Sequence, residues 1–196
     1  MTKEVMMKNF LYALLLCILL VPASLCAAEI TDEDMALGGI RIGDTMWAVQ
    51  KLYGKGAHVA DGVQEYNGEM VGLRAYDYGH TLVVEYRKDP DVYRVTSVSL
   101  GVNDVNDDIH APSEDAQRFE TPRGIHLDST RTDLEAAYGY IPKPNCSHNA
   151  PPVCGYFYEG ESASLTFYIC PKHSTGIHSI LLREKSSNKI RKRLLV

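Results

Sequence analysis

GIRIGDTMWAVQKLYG at residues 39–54 is answered by GIHLDSTRTDLEAAYG at residues 124–139. Aligned without gaps, the two stretches share Gly39/Gly124, Ile40/Ile125, Thr45/Thr130, Tyr53/Tyr138 and Gly54/Gly139, with Ile42/Leu127 and Val49/Leu134 similar. Matching strand-like segments follow. TLVVEY at 81–86 answers SLTFYI at 164–169, and VTSVSL at 95–100 answers IHSILL at 177–182. A period this long predicts two copies of one small domain rather than a solenoid.

Outward from the repeat, the chain divides readily. Residues 1–28 have the layout of a secretory leader: Lys3 and Lys8, an apolar run from Phe10 to Val21, then Pro22 and the small residues before Glu29. That run is shorter than the ~20 apolar residues that span a bilayer as a helix, so no transmembrane segment is expected in the mature chain. A lipoprotein leader with Cys26 as the lipidated residue is the rival reading, and Leu25 stands where a small residue would be needed. The MMK at 6–8 would serve equally well as a start. These features place the protein in the periplasm or outside the cell. The formal net charge is −5, and losing Lys3, Glu4 and Lys8 with the leader makes it one unit more acidic, which excludes nucleic acid as the main ligand.

The expected fold is α+β, as two tandem modules. Each is a short helix pair packed on a three- to four-stranded antiparallel sheet. The first module covers 29–101, a linker with a short helix covers 102–122, the second module covers 123–185, and a basic tail covers 186–196. TDEDMAL at 31–37 and PSEDAQRF at 112–119 are short acidic helix candidates, with Thr31 and Ser113 as N-caps. Thr45 and Thr130 cap the repeated helices, and Gly54 and Gly139 stop them.

In the second module, CGYFYE at 154–159 and LTFYIC at 165–170 flank the loop GESAS. A five-residue loop would set Phe157 opposite Phe167 and Cys154 opposite Cys170. Tyr156, Tyr158 and Tyr168 would then point away from the helices. Arg74, Tyr76 and Tyr78 would do the same in the first module if Leu73 and Ala75 point inward. These six residues form the expected partner-binding face, because tyrosine buries area at low entropic cost and is enriched at interfaces.

Three cysteines lie beyond the leader, and an exported chain favours a disulfide. The spacing favours Cys154–Cys170, a staple worth about 3 kcal/mol for a ~15-residue loop, while Cys146–Cys154 remains open. Metal is not expected. His148 and His173 lie near Cys146 and Cys170, but the spacings match no zinc pattern. Asp104, Asn106, Asp108 and Asp115 echo a calcium loop with Ile109 where glycine is needed. No nucleophile elbow, paired-histidine helix or phosphate-cradling loop is present. Asp44 and Asp133 read as helix starts. The chain is therefore read as non-catalytic and without a cofactor. A thiol- or metal-dependent enzyme using Cys146, Cys154, Cys170, His148 and His173 is the alternative.

The phrase IRIGDTMWAVQKLYG, followed by antiparallel strands, resembles the small α/β module of the β-lactamase inhibitor protein family, which carries two such modules in tandem. It is similar as well to the single-module lipoprotein of the outer-membrane β-barrel assembly machinery, and to related exported bacterial domains. The resemblance covers most of residues 31–185. It implies that the concave sheet face, here with Arg74, Tyr76, Tyr78, Tyr156, Tyr158 and Tyr168, holds a partner. It also implies Cys146–Cys170 as a third possible disulfide. The expected function is binding of a protein or cell-envelope partner.

Overall fold

The computed structural model describes residues 29–79, 81–101, 119–147, 152–171 and 176–185. Thr45 and Thr130 start the α-helices as their side chains demand. The Thr45 hydroxyl accepts from the Ala48 amide at 3.2 Å and opens α1, Met46–Tyr53. Thr130 accepts from the Asp133 amide, while the Asp133 carboxylate accepts from the Thr130 amide at 2.8 Å. That reciprocal box satisfies two otherwise orphaned donors at the start of α2, Arg131–Tyr138. Gly54 and Gly139, at φ of 79° and 96°, end the helices in backbone that residues with a Cβ avoid.

The strands are β1 (Ala36–Leu37), β2 (Ile40–Arg41), β3 (Ala57–Tyr66), β4 (Glu69–Asp77), β5 (Leu82–Asp89), β6 (Val92–Leu100), β7 (Asn145–Cys146), β8 (Cys154–Glu159), β9 (Ala163–Ile169) and β10 (Ile177–Glu184). β1 and β2 form a small two-stranded sheet, and the other eight form one antiparallel sheet in the order β3-β4-β5-β6-β10-β9-β8-β7.

This corrects the expected architecture. There are not two modules with separate sheets, because the last strand of each half pairs with the other. Ile180, Leu181, Leu182 and Arg183 of β10 face Leu100, Ser99, Val98 and Ser97 of β6. Two separate sheets would each have left an open inner edge, and pairing β6 with β10 satisfies both rows of backbone groups. Nor do the described residues form the expected helix pairs. The first acidic stretch forms only a 3-10 turn at Asp32–Asp34, and residues 112–118 of the second lie outside the described residues. Each half contributes a single described α-helix, so the inhibitor-like arrangement implied by the resemblance is not the one this chain adopts.

The two similar stretches, 39–54 and 124–139, make corresponding hydrogen bonds with the sheet. The Gly43 amide donates to the Val95 carbonyl and the Val95 amide to Asp44. Likewise, the Asp128 amide donates to Ile177 and the Ile177 amide to Ser129, all within 2.8–2.9 Å. The helices consequently lie on one face. Val49 of α1 and Leu134 and Tyr138 of α2 enter a single core with Leu82, Val84, Tyr86, Val98, Leu100, Leu165, Phe167, Ile180 and Leu182.

The N-terminal segment crosses between halves. Asp32 Oδ1 accepts from the amides of Glu161 and Ser162 at 2.7 and 3.1 Å, and the Gly38 amide donates to the Glu120 carbonyl at 3.0 Å. Asp34 is held by the Arg123 guanidinium through Nε and Nη2, both at 2.7 Å.

Candidate binding face

The register of β8 decides which side chains reach the open side of the sheet. Tyr156 faces Phe167, Phe157 faces Thr166 and Tyr158 faces Leu165. The connection is one residue tighter than a five-residue loop, since Glu159 already pairs with Ser164 and the Gly160 amide donates to the Ala163 carbonyl. A slip of one residue turns a whole strand over. Tyr156 and Tyr158 are therefore buried on the helix side, and Phe157 stands 48 % exposed on the other. The Tyr158 hydroxyl donates to the Gly139 carbonyl at 2.9 Å, and its ring packs 5.2 Å from Tyr138 and 5.8 Å from Phe167. Desolvation raises the phenol pKa of both Tyr158 and Tyr138, the latter to about 12.

The first half is inverted in the same way. Arg74 pairs with Tyr86 and Tyr76 with Val84, two fully buried residues, so Arg74 and Tyr76 face the helices. Tyr78 shares a 2.6 Å hydroxyl contact with Tyr86, and burial raises both phenol pKa values. Leu73 and Ala75 lie opposite Arg87 and Glu85 on the open side, contrary to the expectation that they point inward. Of the six expected face residues, Tyr168 alone takes the open side, opposite Gly155 and Ser179.

The disulfide differs too. Cys146 on β7 pairs directly with Cys154 on β8, and the two are bonded. Cys154 meets Ile169 across β9 rather than Cys170, which stays buried as a free thiol. This replaces the expected Cys154–Cys170 link, and the reason is the same one-residue register. His148, His173 and the calcium-like residues 104–115 lie outside the described residues. Among the described residues no cluster of three or more His, Cys, Asp or Glu is arranged to hold a metal ion.

The side chains that do line the open face form cross-strand rows. One row runs Asp77, Val83, Ser99, Leu181, Thr166, Phe157; the next runs Ala75, Glu85, Ser97, Arg183, Ser164, Glu159. Large side chains on β5, β10 and β8 alternate with hydroxyl residues on β6 and β9. The face is thus ridged, with two grooves along β6 and β9. Ridges two strands apart stand ~10 Å from each other. Ser97 and Thr166, both 4 % exposed, lie sunk between their larger neighbours.

At one end the β3–β4 hairpin closes over the β6 groove and makes a cleft of about 370 Å3, with Tyr66, Glu85, Arg87, Ser97, Arg183 and Glu184 among its lining residues. The Tyr66 ring lies 3.6 Å from the Arg87 guanidinium carbon. Arg87 in turn grips Glu184 through Nη1 and Nη2 at 2.5 and 3.1 Å, which ties β5 to β10. Hydrogen bonding to Glu184 raises the Arg87 pKa, so the guanidinium is permanently charged. The sequence reading missed Arg87, Glu85 and Ser97. Period-two alternation in LVVEYRKD at 82–89, with Leu82, Val84 and Tyr86 on one side and Val83, Glu85 and Arg87 on the other, was the signal that could have found the β5 residues.

No protein-family model matches the chain, and no curated protein matches it. Among solved structures, it is similar to the uncharacterized protein yfeY from Escherichia coli at 13 % identity, over 76 % of this chain and 97 % of that one, with a TM-score of 0.34.

Proposed function

We propose that this chain is an exported, non-catalytic binding protein that engages a protein or cell-envelope partner through the face of its eight-stranded sheet opposite the described α-helices. The ridged open face carries this reading. Both described α-helices pack on the opposite side, while Phe157, Leu181, Val83 and Tyr168 present apolar surface beside charged Glu85 and Arg183. Mixed apolar and charged surface on a rigid sheet suits recognition. Export is supported by the leader-like first 28 residues and by the Cys146–Cys154 disulfide, a bond favoured in oxidising compartments. Among the described residues no helix is long and apolar enough to cross a membrane.

The test is site-specific photocrosslinking in an exporting host, with the reactive side chain at Phe157 or Leu181 and, as controls, at Lys51 or Glu135 on the helices. The expected result is a discrete adduct from the sheet positions and none from the helix positions. Adducts from neither set, or equally from both, would overturn the assignment of the face.

A further inference from the structure

The cleft has a polarity of its own. Glu85 on β5 and Arg183 on β10 belong to one cross-strand row, with Ser97 of β6 between them. They stand on opposite walls of the β6 groove, and among the described residues neither side chain makes an ion pair or hydrogen bond. The neighbouring charges are already matched: Arg87 by Glu184 and Lys185 by Glu159. Glu65, from the β3–β4 hairpin, adds another carboxylate to the rim. An unpaired carboxylate and an unpaired guanidinium in one row, with a serine between them in the same cleft, suit a ligand bearing both charges.

We infer that this cleft binds a short zwitterion of dipeptide size, its ammonium group at Glu85 and its carboxylate at Arg183. The inference rests on the proposed reading of this face as a binding surface, and it names the chemistry of one ligand. Four features support it. A guanidinium offers a planar fork that receives a carboxylate through two parallel hydrogen bonds. The wall strands are separated by two strand spacings, on the order of 10 Å between backbones. A wall spacing of that order suits one or two residues rather than a long chain. The cleft volume of about 370 Å3 is at the small end of ligand sites, which run from ~300 to 1,000 Å3. The Ser97 hydroxyl lies on the floor between the charges, where it can hydrogen-bond the central amide of a dipeptide.

The test uses alanyl-alanine with both ends free, its N-acetyl form and its C-terminal amide, each titrated into the 15N-labelled protein to about 10 mM, a range that detects weak binding. The expected result is a saturable shift of the Glu85, Ser97 and Arg183 amides with the free dipeptide. Blocking either end should weaken binding by about tenfold or more, as loss of one charge-assisted contact implies. Glu85→Gln should reduce the free dipeptide to the affinity of the acetylated one, and Arg183→Gln to that of the amide. Both substitutions are at exposed positions, and an unchanged thermal melt verifies the fold. Equal binding of the blocked forms, or no saturable shift at all, would overturn the zwitterion site. If crosslinks from Phe157 and Leu181 persist in that case, the zwitterion inference fails alone. If they are absent too, the reading of the face fails with it.

Discussion

Arg123 is one of the residues through which the N-terminal segment and the second half hold each other. Its guanidinium grips Asp34, donates to the Ala137 carbonyl at 2.8 Å and to the Glu29 carbonyl at 3.0 Å, and lies 5.1 Å from the Tyr138 ring centroid. The two side chains are only 15 % and 14 % exposed, so removing one partner strands the other in a poorly solvated place. Arg123→Ala should cost about 2–3 kcal/mol in a denaturant titration, below the ~3–5 kcal/mol of a fully buried pair. The pH dependence has a definite sign. The hydrogen bond from Arg123 lowers the folded-state pKa of Asp34 below its unfolded value, so its contribution is complete above about pH 4 and drains as pH falls through the folded pKa. Asp34→Asn should lower stability at pH 7 and flatten the loss between pH 4 and pH 2, as followed by thermal melts. Cysteine reactivity follows burial in the same way: an intact-mass and alkylation experiment should find Cys170 unreactive in the native protein and, among residues 29–196, the sole labelled thiol after unfolding without reductant.

At the scale of elements, β8 is the strand whose register sets the identity of both faces. Tyr158→Ala should cost about 3–5 kcal/mol, because it removes a ring packed against Tyr138 and Phe167 and leaves the Gly139 carbonyl without its donor. Phe157→Ala, next door and 48 % exposed, should cost about 1 kcal/mol or less. The opposite ranking would restore the register in which Phe157 faces inward. The helices were legible because their signals are local: threonine, a helical stripe and glycine all act within a dozen residues. The register was not, because GESAS can close the hairpin with either of two loop lengths. Residues 154–159, CGYFYE, carry aromatics on both faces, so the apolar pattern does not choose between them. The capping threonines provide a further check. Thr45→Ala and Thr130→Ala should each destabilise by about 1 kcal/mol, Thr130 more if its reciprocal box with Asp133 contributes beyond a single cap.

For the whole molecule, the β6–β10 seam joins the two halves of the chain in one sheet. Across the seam Leu100 and Val98 meet Ile180 and Leu182, and the Arg87–Glu184 pair ties β5 to β10 beside it. A fragment of residues 29–101 would expose β6 along its length and lose the Asp34–Arg123 pair and the contacts of Gly38 with residues 119–120. Such a fragment should show no cooperative thermal transition by circular dichroism, whereas the intact chain should unfold in a single step. A sharp melt of the fragment would mean that the halves are independent after all. Chain-local chemistry, namely the leader-like start, the capping threonines, the terminating glycines and the alternation in β5, is written in the order of residues, because those interactions close over short distances. Which faces the tyrosines take, which cysteines meet and whether the two halves share a sheet depend on partners far away along the chain. Those outcomes turn on a one-residue register in β8 and on the pairing of two strand edges, where backbone hydrogen bonds and burial choose among alternatives that local patterning leaves nearly equal.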